Sequence, residues 1–492
     1  MTAVKTDTLP AGSKGPPTLK RLAKLSLAYG TADVLAQGIN LALLPLYTSF
    51  LTPADYGALA LLLLLSTFLK ILFRLGLDSG FMRIHYDLKD AASRARFAST
   101  TALFSAGVAT FGFLVFWAFS PLVSFALFES REFTLWVRLV AFDLLASSFA
   151  FVPLTLLRIE ERAALFSTYS LVRHATNTVL KVILVMAGFG VTGALISDAV
   201  ASVVLSICLL GELRPRSTLA FDWPPLREAL RFGLPKVPHG ILAQTLSLFD
   251  RRILASFVPR AEVGIYAMGG NFASAMKFPL SAFEPAWQPF VFDSARKEGG
   301  AIEIGKVATR MAIVFTVIAL VFALTLPDLL RLVILKVEFH PAASVIPTLV
   351  LATLFQGFFF LSSVGISIAK EARYYPIITA AATALNIGLD LWLIPTHGIH
   401  AAAWATVAGY ALMALMGSAF SRRLYPIPIE VPRIAATLVA AVAWFLVGAS
   451  LGTGILCVAA RAAFAFAFCV LSWRLSFDES DRTELRKVVG LA

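Results

Sequence analysis

Apolar runs of about 20 residues follow one another along almost the whole of this 492-residue chain, separated by short charged or Gly/Pro-marked turns. A helix needs about 20 residues to cross a hydrocarbon layer about 30 Å thick, and only helices and closed barrels satisfy their backbone there. Fourteen such runs can be placed, at 25–50, 56–79, 98–125, 133–157, 163–187, 190–212, 231–257, 262–291, 304–326, 341–369, 373–395, 398–420, 432–450 and 453–473. The chain is expected to be an all-α polytopic membrane protein. Prolines near 279–289 predict a kink in the eighth span, and residues 327–340 suit a short interfacial helix. Composition agrees: 15% charged residues, against about 25% in soluble domains, are too few to coat a water-soluble globule.

The basic residues give the orientation. The net charge is +12, but the cations are spread over short loops without a nucleic-acid-binding module, so no nucleic-acid partner is expected. Of the 42 Lys and Arg residues, 29 fall in or at the span ends next to the N-terminal tail, the even-numbered loops and the C-terminal tail, at most six in or next to the odd-numbered loops, and seven lie deeper within spans. Positively charged loops stay in the cytoplasm. Both termini are therefore expected there, which requires an even number of crossings. The first apolar run is too long for a signal peptide and has no A-x-A site after it.

The chain also repeats itself. Residues 34–60 align without gaps onto 241–267, an offset of 207, with nine of 27 positions identical and Asp55/Glu262 similar. The match includes the turn between two spans, and six crossings separate the two starts, so the halves are parallel repeats of six helices. Such halves are typical of transporters, with a substrate site between them. The expected organisation is a cytoplasmic tail (1–24), a six-helix bundle (25–212), a cytoplasmic linker (213–230), a second six-helix bundle (231–423), two additional spans (424–475) and a cytoplasmic tail (476–492).

An ionisable group at bilayer depth costs about 2.5–3.5 kcal/mol even on the insertion scale, and it usually faces a cavity or a partner. Lys70 lies deep in the second span, and the repeat offset carries it onto Lys277 in the eighth. Each lysine either pairs locally or contributes an ammonium to a cavity between the halves. Arg74 shares the face of Lys70, with Asp78 one turn on, and Arg173, Asn177 and Lys181 form a second stripe at i, i+4 and i+8. Guanidinium suits bidentate phosphate contact and ammonium acts as a point charge, so these cations fit an anionic substrate such as a diphosphate. Asp33, Glu284 and Asp390 are candidates for a coupling ion, alongside Asp143, Asp198 and Asp250; any of them can instead be the counter-ion of a neighbouring base. Arg138 and Arg461 read as structural.

No catalytic residue, metal site or cofactor is expected. The chain has no G-x-x-x-x-G-K-[ST] loop for ATP. Cys208, Cys457 and Cys469 sit within apolar runs, and the histidines show no ligand pairing, His397 and His400 marking a helix boundary. The external loops are too short to house an enzyme acting on lipid-linked sugars.

The segments LPLYTSFLTPADYGALALL (43–63), GLDSGFMRIHYD (76–87), RFGLPKVPHGILAQ (231–244), FDRRILASFVPRAEVGIYAM (249–268) and FEPAWQPFVFDSARK (283–297) resemble the polysaccharide-biosynthesis flippases. These are the O-antigen and exopolysaccharide translocases of the multidrug/oligosaccharidyl-lipid/polysaccharide exporter superfamily. The resemblance implies two six-helix bundles around a central cavity plus two C-terminal helices. It implies an inner-membrane protein that moves an undecaprenyl-diphosphate-linked oligosaccharide to the outer leaflet for lipopolysaccharide or exopolysaccharide, among membrane lipids and other polysaccharide-assembly proteins. By position, Arg83 matches the family's Arg after the second span and joins Lys70, Arg74, Arg173, Lys181 and Lys277 as a substrate-cavity residue. Asp250 and Arg251 match an Asp-Arg pair that either contacts substrate or staples the bundle. The competing reading is a drug or metabolite antiporter of the same fold, whose cationic substrates would favour acids in the spans.

Overall fold

The computed structural model describes residues 38, 43–160, 162–213, 221–369, 371–450 and 455–476, and among these it is helical with no strand. The first half comprises α1 (Leu44–Phe50), α2 (Pro53–Arg74), α3 (Leu77–Asp87), α4 (Ala91–Phe128), α5 (Thr134–Ile159), α6 (Ala163–Met186) and α7 (Gly190–Leu213). The second half follows as α8 (Trp223–Gly233), α9 (Lys236–Leu248), α10 (Asp250–Phe257), α11 (Arg260–Ala273), α12 (Lys277–Ser294), α13 (Gly300–Val333), α14 (Ile346–Ser362), α15 (Val364–Ile368) and α16 (Tyr374–Leu424). Gly398, at φ +55°, breaks α16 into two antiparallel spans, at the boundary expected around His397. Two further helices, α17 (Val431–Ala449) and α18 (Ile455–Ser476), close the chain. Among the described residues eight helical stretches are long and apolar enough to cross a membrane, and with the shorter helices they fit the expected fold of about fourteen spans in two bundles and an added pair.

The repeat is built into the contact between the halves. A capping box starts α2: the Thr52 hydroxyl accepts from the Asp55 amide at 3.2 Å, and the Asp55 carboxylate accepts from the Thr52 amide at 2.8 Å. Glu262 occupies the corresponding first turn of α11, so the Asp55/Glu262 similarity is that of two acids at helix N-termini. The two helices cross at Gly57 and Gly264. A Cβ on Gly57 would lie 2.0 Å from the Arg260 carbonyl oxygen, and one on Gly264 would lie 1.8 Å from that of Pro53. The offset of 207 maps each residue of the first contact onto its counterpart in the second, as two parallel copies related by a twofold axis require. Only hydrogen fits on either side.

This crossing belongs to the end of the bundle that the Lys and Arg distribution assigns to the outside, and other contacts seal the same end. Tyr56 packs edge-on against Phe339, Arg252 donates to the Ala126 carbonyl at 2.9 Å, Lys336 donates to the Leu51 carbonyl at 3.2 Å, and Arg260 stacks on Phe133. The inner end has a narrower bridge. There α8 buries Leu226, Ala229 and Gly233 at i, i+3 and i+7 against α3. Gly76 and Gly233 are backbone to backbone, a Cβ on Gly76 falling 2.1 Å from the Gly233 oxygen.

Four local expectations are corrected. Residues 223–233 of the expected linker region form the surface helix α8, and the seventh span starts at Lys236, because the chain breaks at Leu234–Pro235. Residues 77–87, read from sequence as mostly loop, continue the second span as α3 after a bend at Leu75 and Gly76, both at positive φ. The eighth span breaks not at its prolines but one turn earlier, in a 3-10 turn at Ser274–Met276. Pro279 offers no N–H to the Ala275 carbonyl and its ring crowds that oxygen, so the α-helix cannot pass through the preceding turn. Finally, α13 runs to Val333 and a 3-10 segment covers Val337–Ser344, replacing the expected interfacial helix at 327–340.

The C-terminal pair is locked on by charge. Arg461, 8% exposed, donates to both Asp328 oxygens at 2.7 and 2.6 Å and to the Gly448 carbonyl at 3.3 Å. Removing either partner of such a buried pair costs about 3–5 kcal/mol, because the other charge is left uncompensated. The structural reading of Arg461 is thereby given its mechanism.

Candidate functional site

In the first bundle, α2 carries Lys70 and Arg74 on one face, and α6 carries Arg173, Asn177 and Lys181 on another. Lys70 makes no ion pair; its charged surroundings are Asp143, Arg173, Arg74 and Asp198. Most of those charges are otherwise engaged. Arg74 pairs with Asp78 at 2.8 Å and lies over the Phe151 ring. Lys181 pairs with Asp198 at 3.4 Å, and Asn177 donates to the same carboxylate. Asp143, 7% exposed, accepts from the Ser202 hydroxyl at 2.5 Å. Ser202 does not neutralise Asp143, so the four bases Lys70, Arg74, Arg173 and Lys181 face the three acids Asp78, Asp143 and Asp198, an excess of one positive charge; Lys70 and Arg173 form no ion pair, and the buried Arg173 Nε has no partner. Lys70, Arg74, Ser105, Ser147, Ser148 and Phe151 line a crevice of only about 20 Å³, room for about one water. A larger anion would meet the cations at its mouth.

In the second bundle, Lys277 lies just past the 3-10 turn and also makes no ion pair, its charged neighbour being another cation, Arg251. It lines a far larger cavity of about 580 Å³ in that bundle, together with Glu284, Trp287, Gln356, Phe359 and Phe360. The two repeat-related lysines therefore line two separate cavities, one in each bundle, rather than facing one another across a single enclosed one.

Deeper in the second bundle is a buried polar cluster that sequence reading located only in part. Asp390 is fully buried, and neither carboxylate oxygen has a protein partner. One turn before it Asn386 is equally buried, with both amide atoms unpartnered. Asp250, 3% exposed, interacts electrostatically with Asp390, accepts a short hydrogen bond from the Tyr266 hydroxyl, and lies against the Thr406 hydroxyl. Buried polar groups without partners are costly. Two carboxylates, an amide and a threonine hydroxyl make an oxygen-rich environment of the kind that suits a small hard cation or a shared proton. The i, i+4 spacing of Asn386 and Asp390 was the available signal, and the link to Asp250 and Thr406 was not legible.

The remaining predicted residues fall elsewhere. Arg83 is exposed on α3 and stacks on Phe232 of α8, 4.9 Å from the ring centre, with Lys236 beside the same ring. Glu284 lines the large cavity with Lys277 and is apart from the acidic cluster. Asp33 lies outside the described residues. Asp250 does staple α10 to α11 through Tyr266, while Arg251 forms no ion pair with it. Trp287 and Gln356 were missed, since an indole and an amide in an apolar helix carry no pattern of their own. Among the described residues no cluster of three His, Cys, Asp or Glu groups is placed to hold a metal.

Two parallel bundles of apolar helices, with eight stretches among the described residues long enough to cross a membrane, make this a multi-pass membrane protein with the architecture of a transporter. Within that class the chain belongs to the polysaccharide biosynthesis protein family, whose profile matches residues 48–335. No curated protein matches it. Among solved structures, that of the lipid II flippase MurJ in an inward closed conformation superposes with a TM-score of 0.74 at 10% identity, covering 92% of this chain and 99% of that one. An inward-facing multidrug resistance MATE family transporter of the MOP superfamily gives 0.60 at 16% identity over 86% of this chain and 96% of that one. An outward-facing one gives 0.58 at 17% identity over 85% and 96%. At these identities the likeness is one of fold.

Proposed function

We propose that this protein is a flippase that moves a polyprenyl-diphosphate-linked oligosaccharide from the inner to the outer leaflet of the cytoplasmic membrane by alternating access, for surface or exopolysaccharide assembly. The observation that carries the reading is Lys70 and Arg173: two cations at span depth that act on one another electrostatically and form no ion pair, with Asp143 as the nearby acid. Such a pair is costly unless an anion completes it, and a diphosphate supplies acceptor oxygens for both ammonium and guanidinium. Membership in a polysaccharide-biosynthesis family supports a sugar-bearing lipid as the carrier of that diphosphate. The prenyl tail remains in the bilayer. The buried cluster of Asp250, Asn386, Asp390 and Thr406 takes the coupling cation or proton, and its filling favours one packing of the second bundle over another. Both termini lie in the cytoplasm.

The alternative, an antiporter of drug or metabolite cations, draws its support from the MATE transporters that share the fold. Lys70 and Arg173 oppose it by repelling a cationic substrate. The test is to replace Lys70 and Lys277 together by Ala in cells that depend on this protein for surface polysaccharide. Surface polysaccharide is expected to disappear while membrane-inserted protein persists. Normal polysaccharide would overturn the assignment of these cations.

A further inference from the structure

We infer that the cavity of about 580 Å³ in the second bundle is a saccharide subsite, where sugar rings of the transported lipid lie while the first bundle holds its diphosphate. The inference rests on the flippase reading above and locates the sugar within it. Volume is the first support: small-molecule pockets run from about 300 to 1,000 Å³, and the crevice beside Lys70 is far too small for a ring.

The chemistry of the lining is the second. Trp287 is only 1% exposed, yet its indole Nε1–H has no partner in the protein. Buried indole N–H groups usually find an acceptor; this one is left unmet behind the accessible surface of the wall that Trp287 forms, where a ligand reaches it only as the wall side chains adjust. Around it, the Lys277 ammonium, the Glu284 carboxylate and the Gln356 amide form no hydrogen bond or ion pair among the described residues. Each sugar hydroxyl both donates and accepts, and a set holding one carboxylate, one amide, one indole N–H and one ammonium answers both needs. Phe359 and Phe360 add aromatic wall, and Trp287 stacks on Phe290 at 5.8 Å, giving apolar faces for the C–H side of a pyranose.

Other occupants fit poorly. A prenyl chain would bury Lys277 and Glu284 without partners, a second diphosphate would face the Glu284 carboxylate, and a lone cation would face Lys277. The repeat sharpens the point. The offset of 207 carries Glu284 onto Leu77 and Trp287 onto Gly80, so the first bundle has no copy of this lining. The two bundles share one lysine position and differ in everything a sugar would touch.

The test uses the full-length protein in lipid nanodiscs and two probes. One is farnesyl diphosphate, and the other is the polyprenyl-diphosphate-linked oligosaccharide extracted from cells whose surface polysaccharide depends on this protein. Trp287→Phe keeps the ring and removes the donor; Gln356→Leu removes the amide at similar volume. Each should weaken glycolipid binding about tenfold, the value of one hydrogen bond lost from a buried polar site, while farnesyl diphosphate affinity stays within about twofold. Lys70→Ala should weaken both probes. Unchanged glycolipid binding in both variants would overturn the subsite, as would equal losses for the two probes. Wild-type protein that binds neither probe would overturn the flippase reading itself, a result separable from the first two.

Discussion

Lys70 and Lys277 occupy the same position in the two copies of the repeat, and their surroundings differ in backbone as well as in side chains. Lys70 sits in an unbroken α2, whereas Lys277 follows a 3-10 turn. The cause is one residue: the position two beyond the lysine is Leu72 in the first bundle and Pro279 in the second. Around Lys70 the charged neighbours are Asp143, Asp198 and the bases Arg173 and Arg74; around Lys277 they are Arg251 and, along the same cavity, Glu284, with Gln356 and aromatic rings beside them. The shared lysine is what the duplication left in place, and the divergence around it gives one bundle a small cationic crevice and the other a larger, mixed lining. A transporter of amphiphiles has use for that asymmetry, because its substrate is itself asymmetric.

The largest effect expected from breaking the comparison is at Lys70. Lys70→Ala alone should lower glycolipid transport about a hundredfold or more, since Arg173 then faces a diphosphate without its neighbour and loses a charge-assisted contact in a low-dielectric site. Lys277→Ala should cost about tenfold, its contact being one among several uncommitted groups. Transport assayed in proteoliposomes checks both. Equal losses would mean that the two bundles share the diphosphate symmetrically.

The buried acid comes next. Asp390→Asn removes the charge that would hold a cation but preserves shape, so transport should fall by about one order of magnitude and lose its dependence on the coupling ion. The dependence is read by varying sodium and pH in separate series. Retained dependence would move the coupling site out of the second bundle.

Much of the fold was legible because bilayer thickness and backbone satisfaction leave a chain of this hydropathy few choices. Span count, parallel halves and the break near His397 all follow from patterns of about 20 residues. The site was legible only where a charge stands alone in an apolar run, as at Lys70, Lys277 and Asp390. Lys181 shows the limit: its spacing from Arg173 placed it on a cationic stripe, but Asp198, 17 residues away on the next helix, pairs with it at 3.4 Å. Trp287 shows another, since the unmet hydrogen bond of its indole exists only once neighbouring helices enclose it. The surface helix α8 escaped because its buried positions, Leu226, Ala229 and Gly233, face protein and are too few to resemble a span.

The backbone difference can be tested directly. Pro279→Leu restores the missing amide and lets the turn at Ser274–Met276 close into regular helix, as in α2. The side chain of Lys277 would rotate relative to the cavity, and transport should drop about threefold to fivefold with no loss of thermal stability, because the variant gains a hydrogen bond. Unaltered transport would show that the broken helix is incidental to where Lys277 points.

The smallest effect is expected at Arg83, where the family resemblance and the geometry part. The resemblance puts this residue among those that contact substrate. Its guanidinium instead lies over Phe232 on α8, at the inner bridge between the halves and beyond both cavities. An exposed cation–π contact is worth about 0.5–1 kcal/mol, and Arg83→Ala should therefore lower stability by about that amount. Farnesyl diphosphate affinity should remain within about twofold of wild type, since no anion contact is removed. Arg83→Lys should recover most of the stability, as Lys236 already holds an ammonium over the same ring. A tenfold loss of diphosphate binding in Arg83→Ala would instead extend the anion path to the inner surface, with α3 as its entrance and the crevice at Lys70 as its end.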